Sequence, residues 1–276
     1  MKIKKENYKK MKIKDVLNDN QKKLALAQVL NISIPELIIN KEKELTKQEE
    51  KAYKKIEKKL NKQIPIQQVL KKAYFYNREF YITKNVLIPR PETEELVNQT
   101  IKLINNSKKQ IKILDIGTGS GVIAITLEKE LKNTKITATD ISKKALKVAK
   151  KNQKIHNTNI KFKKTNLYQG IKDKFDVIIS NPPYIDKTSK TVEKQVKQNE
   201  PHLALFAKEN GLFYYKEIIK NIKQIINKNH IIAFEIGENQ GNKIKEIIKK
   251  ELPQDKIIIK KDHNNYDRYI FAIKNE

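Results

Sequence analysis

The stretch KILDIGTGSG, residues 112–121, joins a short apolar run to a glycine-rich turn, and the helical pattern VIAITLEKEL follows at once. Gly117, Gly119 and Gly121 alternate with Thr118 and Ser120. A buried strand that feeds such a turn brings backbone close to a ligand, because no Cβ stands in the way. Nucleotide-binding sheets share this turn, so the glycines alone do not choose the ligand. Asp115, at the strand end, narrows the choice. A carboxylate there would repel a pyrophosphate, and it suits a cationic ammonium or a fixed turn. No lysine is placed as in a phosphate-cradling loop.

Working outward, the next strand pattern, KITAT, ends in Thr139-Asp140. An acidic residue 19 positions after Gly121, at the tip of the neighbouring strand, is placed to accept both hydroxyls of a ribose. It could also cap the helix that follows. Asp115, the glycines and Asp140 together fit S-adenosylmethionine better than a dinucleotide. The alternation continues through KKALKVAKKNQ, IKFKK and FDVIIS, then a long insertion. A helix near 211–228, HIIAFEI, a helix at 240–251, KIIIKK and RYIFAIK complete it. Alternating β and α elements imply a mostly parallel sheet covered on both faces. The last two strands have no helix between them and should pair as an antiparallel hairpin at one edge. The expected fold class is α/β, the seven-stranded Rossmann-like sheet of class I S-adenosylmethionine methyltransferases, with a small all-α N-terminal domain.

FDVIIS runs into Asn181-Pro182-Pro183-Tyr184. An amide nitrogen is a poor nucleophile, because its lone pair is delocalised into the carbonyl. Holding the NH2 group from both sides, by the Asn181 side-chain oxygen and the Pro182 carbonyl, sets that nitrogen in line with a sulfonium methyl. The prolines stiffen the loop and supply no competing N–H donor. Tyr184 can lie against a flat amide or base. No strong general base is required, since attack on a sulfonium relieves charge.

The first 75 or so residues contain no glycine and read as helices. Leu24, Ala27, Gln28 and Leu30 form a short apolar stripe. Pro35 opens a segment with Leu37 and Ile38 apolar. Thr46 and Glu49 fit a capping box that starts a helix through Tyr53, Ile56 and Leu60. YFYNREFYIT then alternates as a strand or hairpin. The expected organisation is a helical domain over 1–73, a linker hairpin over 74–90 and a catalytic domain over 91–276.

Of 276 residues, 59 are basic and 32 acidic, a formal charge of +27; residues 1–79 carry +11 of it. Such a charge suits a polyanionic partner such as RNA. It equally suits a chain whose composition is biased to Lys, Ile and Asn throughout. The absence of cysteine excludes disulfides, zinc–thiolate sites and cysteine nucleophiles. His156, His202, His230 and His263 lack metal-ligand spacing and read as surface or strand-edge residues, so no metal is expected. The opening MKIKKENYKKMKIKD has no apolar signal core, and no stretch reaches the roughly 18–20 apolar residues of a membrane span. A cytoplasmic monomer is the expectation.

With both motifs in hand, the chain resembles the HemK/PrmC family of glutamine methyltransferases, which modify class I peptide release factors. Four further segments carry the resemblance. They are Ile64-Pro65-Ile66 followed by REFYIT, Ile88-Pro89-Arg90-Pro91-Glu92-Thr93-Glu94, NPPYID, and Glu200-Pro201 with LALFAKENGL. The resemblance implies that the substrate is the glutamine of the factor's Gly-Gly-Gln loop, gripped with help from the N-terminal domain. It places Asn181, Pro182, Pro183 and Tyr184 on that glutamine. It places residues 117–121, Asp115, Asp140, Asn166, Leu167 and Asn181 around the cofactor. The family's acidic residue after the third strand is Asn166 here, whose oxygen can still take the adenine amine. The linker also lacks the family's glycine-containing turn. Arg90 can pair with Glu92 or Glu94, or hold the linker to the cofactor site, and Glu200 is structural or positions the catalytic loop. Three other functions share these motifs. They are a ribosomal-protein glutamine methyltransferase, an enzyme for the exocyclic amine of adenine or guanine in rRNA or DNA, and an inactive binding protein on the same fold.

Overall fold

The computed structural model describes residues 10–104, 109–189 and 193–275. The first nine residues, part of the opening read above for a signal core, lie outside the described residues. Met1–Lys71 and Lys72–Glu276 form two compact units.

The smaller unit holds helices α1 (Asn20–Leu30), α2 (Ile34–Ile39), α3 (Lys47–Leu60) and α4 (Ile66–Leu70). The capping box is present: Thr46 N–H donates to Glu49 Oε2 at 2.7 Å, and Glu49 N–H donates to Thr46 Oγ1 at 3.2 Å. Ser33 and Glu36 make a second box at the start of α2. Ile13, Leu26, Leu37 and Tyr53 are fully buried in this unit's core. The stripe expected on α1 is rotated, for Ala25, Leu26 and Ala27 face inward and Leu24 is 47% exposed. Apolar residues at four consecutive positions wrap around a helix, so their periodicity does not select one face. Ile38 is likewise exposed while Leu37 is buried.

The larger unit opens with strands β1 (Lys72–Phe75) and β2 (Arg78–Tyr81), an antiparallel hairpin. Its turn residues, Tyr76 and Asn77, take φ of 49° and 58°. Two left-handed residues give the twist a two-residue hairpin needs, here without the glycine that usually supplies it. There follow α5 (Pro91–Ile104), β3 (Ile111–Ile116), α6 (Val122–Glu130), β4 (Thr134–Asp140), α7 (Lys143–His156), β5 (Lys161–Lys164) and β6 (Phe175–Ser180). An insertion carries β7 (Ile185–Asp186), α8 (Lys194–Asn199), α9 (His202–Leu205) and β8 (Phe206–Ala207). Then come α10 (Phe213–Ile219), β9 (Ile226–Glu235), α11 (Gly241–Glu251), β10 (Lys256–Lys261) and β11 (Asp267–Lys274). The helix expected over 211–228 is therefore much shorter. A 3-10 turn follows it, and Ile225 and Ile226 already join the sheet beside Phe175.

The seven strands lie in the order β10-β11-β9-β6-β3-β4-β5. All pairs are parallel except those of β11, which runs antiparallel to both neighbours. The sheet is buried on both faces. Ile113, Val177, Ile179 and Phe271 pack toward α5 and α6, whereas Leu114, Ile178, Ile232 and Ile270 pack toward α10 and α11. Each fully buried side chain of this size contributes about 1.5–3 kcal/mol. This burial explains why the β-branched run VIAIT folds as helix α6: residues 122–127 are all buried, and tertiary packing overrides local propensity. After β3 the chain moves outward to β4 and β5 and then returns to β6 on the other side of β3. The crevice at the carboxyl ends of these strands is the switch point where open α/β sheets bind ligands.

Candidate active site

A cleft opens at that switch point, the place where small-molecule sites form in such sheets. Of the residues read from the sequence, Gly117, Gly119, Asp140, Asn166, Leu167, Asn181, Pro182 and Pro183 line it. Asp115, Thr118, Ser120, Gly121 and Tyr184 do not. Residues not anticipated also line it: Asn85, Val86 and Leu87 after the hairpin, Pro201, Leu203 and Ala204 within the insertion, and Tyr214.

The glycine turn is built for approach. Gly117 has φ +75°, and a Cβ placed there would meet nothing within 4 Å. The open space beside its backbone is room for a ligand. Asp115 is fully buried beneath the turn, where Oδ2 accepts the Thr118 hydroxyl at 2.6 Å and Oδ1 has no partner among the described residues. Of the two roles read for it, the structure displays the fixed turn. Burial pushes its carboxyl up to about 7, and Asp140 nearby adds to the rise. Asp140 is pinned by two backbone donors, Gly119 N–H at 2.9 Å on Oδ2 and Ser142 N–H at 2.7 Å on Oδ1. Ser142, and not Asp140, caps α7, accepting from Ala145 N–H at 3.1 Å. Each Asp140 oxygen keeps a further lone pair for a hydroxyl, and burial holds this carboxyl above its ordinary range as well. Two carboxylates short of solvation make the region suited to a cation.

Asn181 follows β6 directly. Its Nδ2 donates to Thr93 Oγ1 at 3.0 Å, and the Thr93 hydroxyl donates to Glu235 Oε2 at 2.6 Å. Glu235 is buried at the end of β9, and burial raises its carboxyl to about 7 against the pull of Thr93, Arg268 and Tyr184. The Tyr184 hydroxyl donates to the other oxygen, Oε1, at 3.2 Å. A buried carboxylate demands donors, and the phenol is turned to supply one. Gln240 Nε2 donates to the Tyr184 carbonyl at 3.0 Å, holding the loop from below. Gly211, at φ +84°, passes so close that a Cβ there would sit 2.0 Å from the same carbonyl.

Arg90 pairs with Glu200 rather than with Glu92 or Glu94. Glu200 is 5% exposed and also accepts the Ile88 N–H at 2.9 Å. This buried carboxylate ties the chain after the hairpin to the insertion, so two walls of the cleft are fixed to each other. Asn152 makes a comparable tie, exchanging hydrogen bonds with Tyr81 N–H and carbonyl at 2.8 Å each and donating to the Ser120 carbonyl at 2.9 Å. Thr93, Glu235 and Asn152 escaped the sequence reading. Each is a polar residue at the edge of a buried apolar run, Thr93 before Leu96 and Val97, Glu235 at the end of HIIAFE and Asn152 after Val148 and Ala149, and such an edge is the signal that could have found them. Of the histidines read as surface or strand-edge residues, His230 lies in β9, is only 4% exposed and contacts Asp255 Oδ2 at 2.9 Å. Among the described residues no cluster of His, Cys, Asp and Glu could hold a metal ion.

A glycine turn after the first parallel strand, an acid at the tip of the second and Asn-Pro-Pro-Tyr at the tip of the fourth, on this sheet, define a class I S-adenosylmethionine-dependent methyltransferase. The Methyltransferase small domain family matches residues 95–212. A methyltransferase from Pyrococcus furiosus shares the fold, with a TM-score of 0.54 at 19% identity over 73% of this chain and 91% of that one. So does a Thermus thermophilus 16S rRNA N2 methyltransferase in complex with AdoMet and guanosine, with a TM-score of 0.53 at 11% identity over 74% of this chain and 50% of that one. The release factor glutamine methyltransferase of Bacillus cereus is 34% identical over 92% of both chains. That of Francisella tularensis is 39% identical over 92% of this chain and 90% of its own. The chain belongs to the release factor glutamine methyltransferase family.

Proposed function

We propose that this enzyme methylates the side-chain amide nitrogen of the glutamine in the Gly-Gly-Gln loop of a class I peptide release factor. The carrying observation is that Asn181 and Pro182 line the same cleft as Gly117, Gly119 and Asp140. A planar NH2 group and a cofactor can therefore share one enclosure. Bound S-adenosylmethionine supplies an electrophilic methyl on a sulfonium. Asp140 would hold its ribose, the Gly117–Gly119 backbone would lie against it, and Asn166 Oδ1 would take its adenine amine. The Asn181 oxygen and the Pro182 carbonyl would accept the two amide hydrogens of the glutamine, fixing the nitrogen's direction and raising its electron density. Burial of the cleft floor strengthens both hydrogen bonds. The amide's surplus proton leaves after transfer, so no side chain need be a strong base.

The helical unit is assigned to gripping the protein substrate. No helix among the described residues is long and apolar enough to cross a membrane; we take the enzyme to be a cytoplasmic monomer without a metal. The test offers labelled cofactor and three acceptors: a release factor, ribosomal proteins and ribosomal RNA. Mass spectrometry should place the methyl on the glutamine of the release factor. Labelling of a nucleobase or a ribosomal protein alone would sink the assignment.

A further inference from the structure

We infer that Thr93 and Glu235 are positioning residues that set which way the Asn181 amide faces. The inference rests on the substrate reading above, and it adds two residues that touch neither substrate nor cofactor in that reading. It follows from counting protons. Above about pH 7, where Glu235 has lost its proton, it can only accept hydrogen bonds. Its Oε2 lies 2.6 Å from Thr93 Oγ1, so the single Thr93 hydroxyl proton is committed to it. Thr93 Oγ1 then has only lone pairs to offer its other neighbour. Asn181 lies 3.0 Å away, and it must turn its NH2 group, not its carbonyl, toward Thr93. Among the described residues the Asn181 oxygen has no hydrogen-bond donor, and Asn181 lines the cleft. The opposite rotamer would aim two donors at the substrate amide's own donors and stop the reaction. Asparagine is nearly symmetric in shape, so sterics alone cannot enforce the choice.

Neighbouring groups favour the ionised, accepting form against the burial that opposes it. The Tyr184 hydroxyl donates to Oε1 at 3.2 Å, and the Tyr215 hydroxyl donates to the Glu235 backbone carbonyl at 2.7 Å. Arg268, which draws the carboxyl toward its charged form, is itself anchored to the Ile236 carbonyl at 3.2 Å and to Asp262 at 3.0 Å. Thr93 brings its hydroxyl from the first turn of α5, and Glu235 comes from the end of β9, next to β6 in the sheet. Three separate elements therefore converge on one amide.

The test compares T93S, T93V and E235Q. T93V keeps the shape and removes the hydroxyl; T93S keeps the hydroxyl. In E235Q the new NH2 can donate to Thr93, which frees the Thr93 proton to turn toward Asn181 and makes both amide rotamers available. We expect kcat to fall about 10- to 100-fold in T93V and E235Q, with KM for the release factor and the dissociation constant for S-adenosylmethionine within about threefold. T93S should recover most of kcat. A purely structural network would lower kcat in step with melting temperature. The inference requires E235Q to lose kcat while its melting temperature holds or rises. The Asn181 side-chain NH2 resonance, assigned by its disappearance in N181D, should be protected from exchange in wild type and unprotected in T93V. Equal protection in both, or T93V turnover within twofold of wild type, overturns the inference. A wild type that leaves release factors unmethylated sinks the substrate reading only, and the resonance still decides the positioning.

Discussion

Glu235 should make the ligand-free protein less stable as the pH rises through neutrality, and E235Q should abolish that effect. An ordinary glutamate titrates at 4.5, and burial in the folded chain raises Glu235 to about 7. The folded state thus holds this proton more tightly than the unfolded one. The stability it confers is complete below about pH 4.5 and is lost as the pH climbs through about 7. The gap of about two and a half units corresponds to something on the order of 3 kcal/mol in all, of which about 2 kcal/mol disappears between pH 5.5 and 8. For a unit of this size each kcal/mol moves the midpoint by roughly 2–4 °C. Melting temperatures of wild type and E235Q, followed by circular dichroism across that range without cofactor, should therefore diverge by roughly 4–8 °C in favour of the variant. Asp115, raised to about 7 by its own burial, contributes the same sign to both proteins and cancels in the difference. Wild-type and E235Q profiles that run parallel would show that Glu235 carries no proton of consequence, and the account of its burial would be wrong.

The site supports three further expectations. Asn181→Ala should cut kcat by about 10²–10³, the range typical for removing a group that steadies a transition state, while calorimetric affinity for S-adenosylmethionine changes little; an equal loss in both would mean that Asn181 holds the cofactor or the fold. Asp140→Ala should weaken cofactor binding by about 10- to 100-fold, and an unaltered dissociation constant would remove Asp140 from the ribose site. Gly211→Ala should destabilise by roughly 2–4 kcal/mol and reduce turnover, because its Cβ would displace the Tyr184 carbonyl and Gln240 together; a melting temperature equal to wild type would show that the catalytic loop yields without cost.

What could be read from the sequence, and what could not, divides along the distance between interacting residues. The glycine turn, the acidic tip of β4, the Asn-Pro-Pro-Tyr tip of β6, the terminal hairpin and the capping box at Thr46 are each written in a few adjacent positions, where spacing alone expresses the geometry. Thr93 and Glu235 stand 142 residues apart, Ile88 and Glu200 stand 112, and Tyr81 and Asn152 stand 71. No local pattern names such partners. The misplaced face of α1 and the overlong helix at 211–228 have the complementary cause: runs such as LALA and IKQII are apolar without a clear period, so packing decides their fate. Tyr184 reads from the sequence as an aromatic beside a planar amide, and only the structure adds Glu235 as the partner of its hydroxyl. A physical rule connects these cases. A buried polar group must find a partner, so a polar residue at the edge of a buried apolar run announces a bond whose other half lies elsewhere in the chain. Thr93, Asn152 and Glu235 satisfy this rule, and their bonds converge on the glycine turn or the catalytic loop. In this protein the buried polar pairs do more than satisfy one another. They are the means by which remote segments hold a methyl-transfer site in one geometry.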